Sequence, residues 1–100
     1  MGVDEIGVLR IGSVNVGTLR GRSGEVVDMV TRRHLDFCCL QETRWKGASA
    51  RTIGGYKIFW MGCQAGVSGV GVMVAVRRSE KVLDVKRIGD RLMVLRVIVG

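Results

Sequence analysis

The sequence predicts an α/β domain built on a mixed sheet with one clear helix. Three observations carry that reading. Seventeen valines stand mostly in short runs parted by glycine, which is strand composition. Only one stretch, Gly24–Arg33, has an apolar stripe at helical spacing with an acid at its start and bases at its end. Gly89-Asp90 sits between two apolar runs, a hairpin signal. One hundred residues, 47% hydrophobic and 25% charged, suffice for one packed core and are too few for two, and the apolar fraction excludes disorder.

Taken in order, Val8–Val16 is the first expected strand. Helix Gly24–Arg33 follows, with Ser23 as N-cap, Glu25 near the positive end of the dipole, and Arg32 and Arg33 near the negative end. Its buried stripe is Val26, Val27 and Val30, with Met29 at the edge. Valine is a mediocre helix former, so packing must hold this segment. Leu35 or Asp36 to Leu40 is the second strand, and strand–helix–strand over residues 8–40 predicts a right-handed unit with parallel strands. Tyr56–Met61 is the third strand. Val70–Val76 reads as a continuous apolar strand of the buried kind. Val82–Ile88 and Leu92–Val99 flank the two-residue turn Gly89-Asp90, so the second half reads as an antiparallel meander.

Charge and cysteine narrow the classes. Sixteen basic against nine acidic residues give +7, carried by twelve Arg and four Lys. An arginine excess suits bidentate phosphate contact, and it equally suits helix ends and solvent faces. No run approaches the length of a membrane span, the nearest being the glycine-broken Ala65–Val76, so no membrane partner is expected. The acidic start Met1–Ile6 has neither signal-peptide nor myristoylation character. Cys38, Cys39 and Cys63 are an odd number with no C-x-x-C spacing and a single His, which argues against zinc. Cys38 and Cys39 read as buried thiols in a reducing, intracellular compartment, with the nuclear address left open.

A strand–helix–strand unit brings the C-terminal ends of its strands to one edge, where open α/β folds bind ligands. Asn15 ends the first strand, and Gln41 and Glu42 end the second. A carboxylate and two amides at one rim suit Mg²⁺ and phosphate. The same spacing admits Asn15 closing a turn with Gly17 and Glu42 as a solvated loop residue. Arg44, Trp45 and Lys46, with Arg51 nearby, interleave cations with an aromatic beside Glu42 and suit a nucleic-acid backbone; an indole packed on the sheet edge is the competing reading. His34 reads as a helix C-cap, Gly66–Gly71 as a glycine-rich turn before a strand rather than a phosphate loop, and Tyr56–Trp60 as core.

Ile11–Leu19 (IGSVNVGTL), Asp36–Arg44 (DFCCLQETR) and Gly69–Ala75 (GVGVMVA) together resemble the opening motifs of the endonuclease/exonuclease/phosphatase superfamily. Within it the pattern is most similar to craniofacial development protein 2-like sequences, whose domain resembles the apurinic-type endonuclease of non-LTR retrotransposons. The resemblance runs over nearly the whole chain and implies the N-terminal half of a DNase I-like two-sheet α/β sandwich, each half supplying one sheet. It implies Mg²⁺ as cofactor and DNA as partner, with Glu42 as metal ligand and Asn15 positioning metal and scissile phosphate. Val14 and Gly17 depart from the tryptophan and aspartate common at those positions. The family's water-activating aspartate and catalytic histidine motifs do not occur in residues 1–100.

The expectation is therefore an incomplete domain over 1–100, inactive alone, whose arginine contacts to DNA weaken steeply with salt. The alternative is a non-catalytic basic module that binds nucleic acid or another partner. A phosphatase acting on a lipid or nucleotide shares the same metal residues. Leu92–Val99 reaches Gly100 with no polar cap, which predicts a cut within a domain. Met73, Ala75 and alternate residues of the last strand are then expected to face water unless a missing C-terminal half or self-association covers them, leaving residues 1–100 marginally folded or oligomeric.

Overall fold

The structure is a computed structural model describing residues 8–98. The acidic start Met1–Ile6 and the last residues of the predicted final strand, Val99 and Gly100, lie outside the described residues. The elements are β1 (Ile11–Asn15), α1 (Ser23–Arg32), β2 (Phe37–Gln41), β3 (Ala48–Ile53), β4 (Tyr56–Met61), β5 (Val70–Ala75), a 3₁₀ segment (Val76–Lys81), β6 (Val82–Arg87) and β7 (Met93–Val97). They form a compact α/β domain with a five-stranded mixed sheet ordered β1-β2-β5-β4-β3 and a separate β6-β7 sheet. As expected, β1 and β2 are parallel, joined through α1, with Asn15 opposite Gln41.

β5 is the central strand, antiparallel to both β2 and β4. Five of its six residues are buried, so both faces of the sheet need cover. On one face Cys38, Leu40, Tyr56, Ile58, Trp60, Met73 and Ala75 pack under Val26, Val27 and Val30 of α1. On the other, Phe37, Val72 and Val74 pack against Val82, Met93, Leu95 and Val97 of the β6-β7 hairpin. Two expectations are corrected here. Met73 and Ala75 are fully buried rather than exposed, because α1 covers their face. The chain also carries a second small sheet of its own, where the resemblance implied one sheet only.

The second half is not a continuous meander. The 3₁₀ segment lifts the chain off β5, and β6 pairs with β7 alone. The predicted two-residue turn is a three-residue loop, Gly89–Arg91, closed by the Ile88 N–H donating to the Leu92 carbonyl at 3.1 Å. Leu92, Val94 and Ile98 on this hairpin remain exposed, as do Leu83 and Ile88.

Three further boundaries differ. Strand β1 begins at Ile11 rather than Val8, because its partner β2 begins at Phe37, opposite Ile11, and the Arg10 N–H is taken by the Asp36 carboxylate. Ser23 is the first helical residue and not the cap. Arg22 occupies the cap position without a side-chain cap bond, its guanidinium donating instead to the Val16 carbonyl at 3.0 Å. Strand β3, for which the sequence predicts no element, has five of its six residues exposed, as suits a sheet edge. It pairs with β4 through a Gly54-Gly55 turn in which Gly54 has φ +59°, the left-handed conformation that glycine adopts without steric cost.

The end of α1 follows from backbone chemistry. His34 has φ +56°; its N–H donates to the Thr31 carbonyl and the Leu35 N–H to the Val30 carbonyl. This is a Schellman closure with histidine in the place usually taken by glycine. His34 thus ends the helix as expected, one residue beyond the cap.

Asp36 holds the base of the molecule together. Its side chain is 5% exposed and accepts the Arg10 N–H at 2.8 Å, Arg77 at 2.7 Å and Arg78 at 3.1 Å. Burial pushes its pKa up, but these donors outweigh burial and hold it below the ordinary carboxylate value. One carboxylate thereby joins the approach to β1, the start of β2 and the 3₁₀ segment. A pKa lowered in the folded state stabilises fully above the unfolded value near pH 4 and is lost as pH falls through the folded value. Asp36→Asn should destabilise by about 3 kcal/mol at pH 7, the cost of breaking a buried ion cluster. Urea unfolding at pH 7, 5 and 3 checks this: the deficit should be constant between pH 7 and 5 and shrink at pH 3.

Candidate functional site

The rim where β1 and β2 end is built by backbone bonds. The Val16 N–H donates to the Gln41 carbonyl at 3.0 Å and the Leu19 N–H to the Thr43 carbonyl at 2.8 Å, so the two exits run together for several residues. From the other side, the Thr43 N–H donates to the Gly69 carbonyl and the Arg44 N–H to the Ser68 carbonyl. Thr43 is fully buried in this clamp, and its hydroxyl oxygen has no partner. Flanking it, Glu42 and Arg44 both have φ +59°. Two non-glycine residues in the left-handed region cost of order 1–3 kcal/mol each and are held by surrounding bonds.

The clamp turns Glu42 outward to meet Asn15. Asn15 Nδ2 donates to Glu42 Oε1 at 3.0 Å, while Asn15 Oδ1 accepts the Gly17 N–H at 3.0 Å. Asn15 thus closes the turn with Gly17 that the sequence allowed, and its amide also bonds the Glu42 carboxylate. Arg44 lies 3.8 Å from Glu42 Oε2. Gln41 does not join them; its amide turns back to donate to Ser13 Oγ at 3.1 Å. The rim thus gathers one carboxylate and one amide rather than two amides. Among the described residues, no three of His, Cys, Asp and Glu come together in a metal-holding group.

Of the four residues read as a nucleic-acid track, Trp45 and Arg51 are engaged with indoles. Trp45 packs edge-on to Trp60 with centroids 4.7 Å apart. Arg51 lies over both indoles at 5.0 and 5.8 Å, a cation–π stack that occupies its charge. Trp45 is thus the indole packed on the sheet edge. Arg44 and Lys46 are exposed.

Sequence reasoning missed Arg20. Its guanidinium donates to the Arg44 carbonyl at 3.1 Å and the Gly66 carbonyl at 2.9 Å, tying the Glu42 loop to the glycine-rich turn before β5. No local pattern marks it, since its partners lie 24 and 46 residues away. The glycine-rich stretch is the turn expected. At Gly69, with φ +134°, a side chain would run into Thr43 Oγ1, so the clamp on Thr43 requires glycine there.

Beyond Glu42 lies an open hollow of about 400 Å³, lined by Gln41, Glu42, Arg44, Val67–Val70, Asp90 and Arg91. The hairpin loop Gly89–Arg91 forms its far wall. Ser68 Oγ donates to Asp90 Oδ2 across it. Asn15 faces a second hollow of about 300 Å³ on the α1 side, with Arg22 and Arg32.

The cysteines differ from one another. Cys38 is buried, which pushes its thiol up to about 11. Cys39, expected to be buried, is exposed: the apolar cluster under the β6-β7 hairpin takes in Phe37 on that face of β2 but not Cys39. Cys63 lies beside the hollow, where the Val67 N–H, the Ser68 hydroxyl and the Gly66 and Ala65 N–H groups favour its thiolate and lower its pKa to about 7.

No protein-family model, curated protein or solved structure matches this chain. No helix among the described residues is long and apolar enough to cross a membrane.

The thiol chemistry gives a direct check on the loop geometry. Alkylation of Cys63 by iodoacetamide should rise with pH through an inflection near 7, and Ser68→Ala should move that inflection upward. Mass spectrometry of the modified peptides over pH 6–9 measures both; an inflection for Cys63 no lower than the roughly 8.5 of an ordinary thiol would contradict the arrangement.

Proposed function

We propose that Asn15 and Glu42 are the first half of the metal centre of a Mg²⁺-dependent phosphodiester hydrolase, in its complete form a DNA endonuclease of retrotransposon type, and that residues 1–100 do not cleave DNA alone. The observation that carries this reading is the Asn15–Glu42 hydrogen bond at the carboxyl rim of two parallel strands. It lies on a backbone whose left-handed residues are held by the clamp around Thr43 and by Arg20 on the Arg44 carbonyl.

The donor set fits a hard divalent ion of the magnesium kind, which takes one or two carboxylates and fills its octahedron with water and substrate oxygens. Glu42 would hold the ion. Asn15 fixes the orientation of that carboxylate, and Arg44 supplies a cation near the substrate phosphate. A Mg²⁺ ion bound there supplies Lewis-acid polarisation of a phosphodiester. None of these residues is assigned the general base that activates water, which is why the chain alone is inactive in this reading.

The second reading is a basic nucleic-acid-binding module without chemistry. It is favoured by one observation: Arg44 already stands near Glu42 Oε2 as a counter-ion.

Titration with Mn²⁺ as a paramagnetic probe separates the two. In the first, amide resonances of Asn15–Gly17 and Glu42–Arg44 broaden at millimolar metal, and Glu42→Gln abolishes the broadening. Absence of broadening, or broadening indifferent to Glu42→Gln, refutes the metal role. Supercoiled plasmid should remain uncut by residues 1–100 in Mg²⁺; nicking that Glu42→Gln removes would refute the claim of inactivity.

A further inference from the structure

The arginines can be accounted for one by one. Arg10, Arg20, Arg22 and Arg87 donate to backbone carbonyls. Arg77 and Arg78 bind Asp36, Arg96 binds Asp84, and Arg44 faces Glu42. Arg51 stacks on two indoles. Three of the twelve remain without a side-chain partner among the described residues: Arg32, Arg33 and Arg91. Arg32 lies in the last turn of α1 and Arg33 at its C-cap, where cations meet the negative end of the helix dipole. Arg91 has no such structural role. It stands on the loop between β6 and β7, and of these three it alone lines the hollow that Glu42 also lines.

Its position there is held rather than incidental. The preceding residue, Asp90, accepts a hydrogen bond from Ser68. Ser68 belongs to the segment whose carbonyls clamp Thr43 and Arg44. The tip of the second sheet is thus fastened to the loop that carries Glu42, and the cavity between them has a guanidinium on each wall. The two carboxylates facing it are engaged, Glu42 by Asn15 and Asp90 by Ser68.

We infer that this hollow is a phosphodiester subsite for a nucleic-acid strand, with Arg91 as its unpaired cation and the Ser68–Asp90 bond as the latch that places it. The inference rests on the proposed function for its location beside the chemistry, and names a binding residue on the second sheet. Because two carboxylates line the same space, the subsite orients a backbone more than it attracts one, and its effect on affinity is modest.

Fluorescence anisotropy of residues 1–100 with a labelled DNA duplex, in EDTA and across a salt series, tests it. Arg91→Ala should weaken binding about 3- to 10-fold and reduce the slope of log affinity against log salt by about one. Lys81→Ala, which removes the same charge from the opposite end of the hairpin, should have less than about one third of that effect. Ser68→Ala removes no charge, and should weaken binding in the same direction by loosening the latch. Equal losses for Arg91→Ala and Lys81→Ala, or no measurable binding by the unaltered chain, overturn the subsite; an unchanged affinity for Ser68→Ala overturns the latch. Since no metal is present, these results are independent of the manganese titration at Glu42.

Discussion

Everything else in this fold follows from a strand that must be covered twice. Val70–Ala75 runs through the middle of the five-stranded sheet with five of six residues buried, and a strand of that kind cannot be stable with either face in water. Helix α1 covers one side through Val26, Val27 and Val30. The other is covered by a hairpin that the chain can supply only by leaving the sheet, and the 3₁₀ segment Val76–Lys81 makes that departure. Asp36 ties the departure point to the start of β2 and the approach to β1. A charged group at the base thus fixes how two separate apolar clusters sit on one sheet.

The same economy shapes the rim. Where strands end, backbone groups lose their ladder partners, and buried ones must find others. Here the carbonyls of Val16, Arg44 and Gly66 are met by arginine side chains, and the Thr43 and Arg44 N–H groups by carbonyls of the turn before β5. The bonds that satisfy the loop also force Glu42 and Arg44 into left-handed backbone and leave the Thr43 hydroxyl without a partner. An orphaned buried hydroxyl costs roughly 1–3 kcal/mol. Against that cost stand the bonds of the loop itself, and the result is an outward-facing carboxylate fixed by Asn15.

Much of this was legible in the sequence, for physical reasons that can be named. The helix, the parallel pair β1 and β2, and the strands β4, β5, β6 and β7 announce themselves through apolar periodicity, because burial on one or two faces writes directly into residue order. Strand β3 does not: an edge strand with nothing to bury has no period to read. The pairing of Asn15 with Glu42 was legible because topology alone puts two strand ends side by side. The turn of the Gln41 amide toward Ser13 was not, since a side-chain rotamer leaves no trace in spacing. Asp36 was visible only as a strand boundary; its three donors come from Arg10, Arg77 and Arg78, up to 42 residues away.

Arginine shows the limit of composition as evidence. A net charge of +7 invites a reading of the whole surface as a phosphate-binding face, yet most of the guanidiniums hold carbonyls, carboxylates or indoles. Those residues keep their charge, so they still contribute to the long-range field that draws an anionic polymer. What they have lost is freedom to reorient toward a ligand. Long-range attraction and short-range recognition therefore belong to different arginines in this molecule, and only an accounting of partners separates them. By that accounting the arginine without a partner in the hollow beside Glu42 lies neither next to it in sequence nor on its own sheet, but on the hairpin that the central strand required for cover.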